Sequence, residues 1–109
     1  MCTSTTPNDL LADFRNPDSA TVGVELVTTS ITSGGNGQAL PTTGELQLLT
    51  ENPHIKLVSN QRGYVSTRIE RDSLRADFRV LPYISTPGAP VSTRASFVVE
   101  PGAPGLNPV

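Results

Sequence analysis

Residues 63–80 alternate between two kinds of side chain with a period of two, and no other stretch constrains the fold as tightly. Val65, Thr67 and Ile69 point one way, while Tyr64, Ser66, Arg68 and Glu70 point the other. After the polar run Glu70-Arg71-Asp72-Ser73 the pattern resumes, with Leu74, Ala76, Phe78 and Val80 on one face and Arg75, Asp77 and Arg79 opposite. A turn at 70–73 pairs Ile69 with Leu74, Thr67 with Ala76 and Val65 with Phe78. All the apolar partners then share one face, and a slip of one residue would expose the whole set. On the wet face Tyr64 stands opposite Arg79 and Ser66 opposite Asp77, with Arg68 diagonal to that carboxylate. These charges read as a solvated outer surface around a long antiparallel hairpin.

Any core built on that hairpin has to be thin. Only 36% of the 109 residues are hydrophobic and 5% are aromatic, with no Trp, which suits one domain or a piece of one. A net charge of −2 gives no electrostatic footprint for nucleic acid or an anionic membrane. No apolar run approaches the roughly 20 residues of a membrane span. The opening MCTSTTPND has neither a basic region nor an apolar core, so it does not read as a signal peptide. Cys2 is the single cysteine and His54 the single histidine. An intrachain disulfide and a zinc site made of several Cys and His are therefore excluded, and a Ser-His-Asp triad would have to use His54.

Taken in order, residues 6–14 have the marks of a short helix. Thr6 can cap, Pro7 suits the first turn, Asp9 favours the positive end, and Leu10, Leu11 and Phe14 form a stripe. Asp9 and Asp13 would lie one turn apart on its solvated face. Residues 21–31 are rich in β-branched side chains and predict a strand, with Val22, Val24 and Leu26 on one face and Val27 suggesting burial on the other. Gly23 marks a bulge or a close backbone approach. The polar loop 32–38 contains three glycines, but Ala39-Leu40-Pro41 follows and neither GxGxxG nor GxxxxGK[ST] is present, so it reads as a plain connection. Thr42 and Glu45 have capping-box spacing for a second short helix, which Asn52-Pro53 ends. Residues 54–58 predict a strand, 81–91 an irregular segment, and 92–100 a final strand around Phe97. Leu46, Leu48, Leu49 and Phe97 are the expected cover for the hairpin. Residues 101–109, PGAPGLNPV, read as a loose tail outside any sheet core.

Candidate chemistry is sparse. His54, where a helix ends and a strand begins, could serve as a ligand or a general acid/base, though a structural histidine is the simpler reading. Ser30, Thr32 and Ser33, with Thr28 and Thr29, cluster where a strand enters the glycine loop and could donate hydrogen bonds to an anionic substrate. Ser30, Thr32, Ser33 and His54 are thus the substrate-adjacent candidates. No catalytic residue or metal ligand is assigned.

The run ADFRNPDSATVGVELVTTSITSGGNG, followed in order by ENPHIKLVSNQRGYV, LRADFRV and TPGAPVSTRASFVVEPGAPG, resembles the C-terminal part of the alkaline phosphatase D (PhoD-like) family. The resemblance covers about residues 8–105. It implies a metallophosphoesterase α/β sandwich, here a partial one that is α+β in content: mostly antiparallel strands, a long β-hairpin and two short helices. It also implies secreted metal-dependent phosphomonoesterases or phosphodiesterases that use calcium and iron. Such enzymes place a Gly-Asp-x-His motif just before the segment resembling NDLLADF, where this chain has Met1 to Pro7. The expectation is a truncated segment that is inactive alone, with residues 1–100 as a C-terminal fragment of the phosphatase domain and 101–109 as a Pro/Gly-rich tail. No cofactor is expected for the chain itself. A phosphate-ester substrate is expected only if catalytic sequence completes it, with no nucleic-acid or membrane partner and with a tendency to self-associate. The alternatives are a small β-rich structural or binding module and a subunit completed by a separate catalytic chain.

Overall fold

The computed structural model describes residues 5–16, 18–38 and 42–109. Cys2 and Ala39-Leu40-Pro41, discussed above, lie outside the described residues. Among the described residues, six strands and one helix follow one another: β1 (Thr6–Leu11), β2 (Thr21–Val27), α1 (Thr43–Glu51), β3 (Arg62–Ile69), β4 (Leu74–Leu81), β5 (Ser92–Glu100) and β6 (Ala103–Pro108). Strands β3-β4-β5-β6 form an antiparallel four-stranded sheet in chain order, and β1-β2 form a second, two-stranded antiparallel sheet.

The hairpin forms in the register its alternation demands: Val65 opposite Phe78, Thr67 opposite Ala76, Ile69 opposite Leu74, and on the outer face Tyr64 opposite Arg79 and Ser66 opposite Asp77. Its turn closes with the Glu70 amide donating to the Ser73 carbonyl at 2.8 Å. At the other end the chain runs so close to its neighbour that a Cβ on Gly63 would sit 1.9 Å from the Arg79 carbonyl oxygen, so only glycine fits. On the inner face Ala76, Phe78, Phe97 and Leu106 are buried together, with Phe78 and Phe97 meeting edge-on at 6.0 Å. Val24 and Leu26 of β2, together with Leu57, pack on this cluster and join the two sheets. The outer face stays wet, but its ion pairs run along strands: Arg68 bonds Glu70 and Arg75 bonds Asp77. Arg68 does not reach Asp77 across the sheet.

Several expectations are corrected. Residues 6–11 are strand β1, not helix, because they have backbone partners on both sides. β2 pairs along one edge, while on the other the Asp9 amide donates to the His54 carbonyl and the Lys56 amide to the Pro7 carbonyl. A stripe of three apolar residues cannot compete with that, and Pro7, Asn8 and Asp9 become buried. Asp9 and Asp13 consequently do not share a helix face. Residues 54–58 make only an isolated bridge at Ile55, opposite Asn8, and with the bridge at Ser59 they line β1 without becoming a strand.

The tail is not loose, since β6 pairs with β5 and inserts Leu106 into the core at 4% exposure. Its prolines sit on the last strand of the sheet, where a missing donor is tolerated. Finally, α1 covers nothing. Thr42 caps it as its sequence demands, its hydroxyl accepting from the Glu45 amide at 3.2 Å. Yet no residue of α1 is buried, and Leu46 and Leu48 face solvent. Strand β2 is shorter than expected, half-buried, and slips register beside Gly23, with Val22 bulged outward and exposed.

Candidate functional site

The glycine loop is an ordered hub, and Arg62 holds it. Arg62 begins β3 and is 2% exposed. One arm of its guanidinium donates to the Ser30 hydroxyl and the Ser33 carbonyl, each at 3.2 Å, and the other arm donates to the Asn60 carbonyl. The planar fork suits arginine to such a task, because its donors are fixed relative to one another. Ser30 in turn donates to the Ser33 carbonyl at 2.6 Å, and the Thr29 hydroxyl donates to the Gln61 carbonyl at 3.0 Å. Further along the loop, the Gln38 amide donates to Asn60 Oδ1 at 2.6 Å. Gly37 lies beside this bond at φ +71°, where a Cβ would be 2.1 Å from the Asn60 carbonyl oxygen. Asn36 Oδ1 accepts from the amides of Ile84 and Ser85 at 2.7 and 3.1 Å. Segments 29–38, 59–62 and 84–85 are thereby tied together.

Of the expected site residues, Ser30, Thr32 and Ser33 fall in this hub. The Ser30 side chain is spent on fixing the loop. Thr32 lines a cavity of about 370 Å³ between the loop and residues 81–89. Arg62, Asn36 and Asn60 were not legible as a site, because each acts on residues that are distant in the chain.

His54 sits elsewhere, at a junction of two cavities of about 250 and 270 Å³ that share Leu11, Pro53 and His54. Its ring meets Phe14 edge-on at 5.0 Å. Lys56 and Asp9 line the first cavity, Arg15 and Glu51 the second. The Asp9 carboxylate is engaged on both oxygens. Oδ1 accepts the Leu106 amide at 2.9 Å, and Oδ2 lies 3.4 Å from Lys56 Nζ. It works as a staple between β1, the 54–59 segment and β6, not as a free base. Thr32 and His54 line separate cavities, and Ser30 and Ser33 stay with Thr32 in the loop hub, so the structure does not bring the four candidates together.

Among the described residues, no three His, Cys, Asp or Glu side chains converge where they could hold a metal ion. Calcium and iron therefore have no ligand set among these residues. Among the described residues, the carboxyl group held below its ordinary value is Asp77, on the outer face. The Ser96 hydroxyl that donates to it is the main cause, and with the added charge of Arg75 it outweighs partial burial. Its neighbours are sheet residues, which makes it a structural pair.

The described residues thus form two antiparallel sheets joined by one core, with the loop hub beside them. The family model for PhoD-like phosphatases matches residues 3–78, and the chain belongs to that family. It is 44% identical over 102 residues to alkaline phosphatase D of Bacillus subtilis (strain 168), an alignment that takes in 94% of this chain and 17% of that protein. A solved structure described as the structure of PhoD superposes with a TM-score of 0.89 at 42% identity, covering 98% of this chain and 20% of the other. The chain thus spans about a fifth or less of the length of these relatives.

Proposed function

We propose that the chain is a scaffold-forming part of a PhoD-like phosphoric ester hydrolase and does not turn over substrate alone. The observation that carries this reading is one of proportion: 94% of the chain aligns, yet it fills 17% of the relative's length. In this reading the four-stranded sheet and its β1-β2 cover supply one layer of the catalytic sandwich. Phosphate-ester binding and the metal ions that act as Lewis acids and activate water belong to sequence beyond these 109 residues. The scatter of potential ligands among the described residues supports the same division.

A second reading, a subunit completed by a separate catalytic chain, is favoured by exposed apolar side chains in residues 14–48. Phe14, Val22, Ile31 and Leu46 are each more than half exposed, at 53%, 64%, 52% and 52%. In either reading the isolated chain self-associates through that surface.

The direct test is hydrolysis of a nitrophenyl phosphate by the purified chain, with and without calcium and iron. No metal-dependent turnover above background is expected. Turnover that survives further purification and is lost in His54→Ala would overturn the proposal.

A further inference from the structure

We propose that the cavity of about 370 Å³ beside the glycine loop binds an uncharged, partly apolar alcohol, the organic side of a phosphate ester. The choice of an ester's alcohol rests on the phosphatase reading above; the character of the cavity does not. Its volume lies within the range of about 300–1,000 Å³ typical of small-molecule sites. No charged residue lines it among the described residues, so it offers no cation to a phosphate group.

The chemistry of the lining is mixed in a particular way. Leu81, Ile84, Pro87, Ala89 and the Tyr83 ring supply apolar surface, and Thr32, Tyr83, Ser85 and Thr86 carry hydroxyl groups. The side-chain hydroxyls at Thr32, Ser85 and Thr86 are open to solvent and make no hydrogen bond to another described residue, whereas the neighbouring Thr29 and Ser30 hydroxyls do. Unengaged hydroxyls over an apolar floor match a ligand with a hydrocarbon or aromatic body and a neutral hydroxyl.

The walls are also built to hold their shape. Asn36 clamps two successive amides of the far wall, at Ile84 and Ser85, from 48 and 49 residues away. Arg62 fixes the near wall through Ser30 and Ser33. A site fixed before its ligand arrives loses less entropy on binding. Asn36 is therefore a positioning residue that does not itself line the cavity.

The test is a titration of the full chain with benzyl alcohol, followed by amide chemical shifts, with inorganic phosphate as the contrasting probe. Benzyl alcohol should give saturable shifts in the millimolar range, confined to Thr32 and residues 83–89, and phosphate should give none there. Ala89→Trp, which fills the cavity, should abolish the saturable response. Asn36→Ala should weaken it by about tenfold while the amides of 65–80 stay where they are. Asn36→Ala decides alone if the bulkier variant fails to fold. Shifts that spread over the surface without saturating, an equal response to phosphate, or undiminished binding by the folded variants would overturn the assignment. A chain that proves catalytically active would refute the scaffold reading and leave this result standing. Absent binding would refute the pocket and leave the scaffold reading intact.

Discussion

On β4, Phe78 is 2% exposed against Phe97, while Arg75 on the other face keeps about half of its side chain in water. Phe78→Ala should cost about 3–5 kcal/mol, the transfer free energy plus the cavity left behind. Arg75→Ala should stay within about 0.5 kcal/mol, because its partner Asp77 is also partly exposed and keeps the Ser96 hydrogen bond. Chemical denaturation of the two variants measures the contrast, and comparable losses would place the core on the wrong face. Asp77 makes the fold sensitive to acid. Its folded value is lowered, chiefly by Ser96, so its contribution is fully present above its unfolded value near pH 4. That contribution is lost as the pH falls through the lowered value. Ser96→Ala should therefore destabilise by about 1–2 kcal/mol at neutral pH, with the loss shrinking under acid. Melting curves across pH check it; a loss independent of pH would assign Ser96 a packing role instead.

Among the elements, the β3-β4 hairpin should be the most persistent. Its pairing is local, and its inner face carries Ala76 and Phe78 into the core. Helix α1 is well capped but buries nothing, and its nine residues are too few to be stable on caps alone. Amides of 65–80 should exchange more slowly with solvent than those of 46–51; the reverse order would remove the hairpin from the centre of the fold. The same contrast explains what the sequence could show. Hairpin register and the Thr42–Glu45 cap are written in residues a few positions apart, where period and spacing suffice. β1 and β6 are not, because their strand state depends on distant partners. Residue 7 meets Leu26 and Lys56, and β6 is locked by a buried bond between Leu106 and Asp9, 97 residues apart. Leu106, flanked by Gly105 and Asn107 in a proline-bounded run, was the one local hint of an edge strand. The hub was half legible: its hydroxyls and glycines stood out, whereas the Arg62, Asn36 and Asn60 bonds that organise it did not.

At the scale of the whole molecule the fold is open. Its radius of gyration is 14.6 Å, against about 13 Å for a closed domain of this size. Exposed Val22, Ile31 and Leu46 fit the proposal that this layer takes a cover. The chain matches 17% of the length of alkaline phosphatase D of Bacillus subtilis, and in the proposed reading the rest of such a protein supplies that cover. The central claim is that these residues are scaffold and that catalysis needs what packs against them. The most direct measurement mixes the purified chain with the complementary portion of the Bacillus subtilis relative and follows hydrolysis of a nitrophenyl phosphate with calcium and iron present. The account predicts no turnover from either piece alone and metal-dependent turnover from the mixture. Turnover by the chain alone, or a complementary portion whose rate is indifferent to its addition, would contradict it.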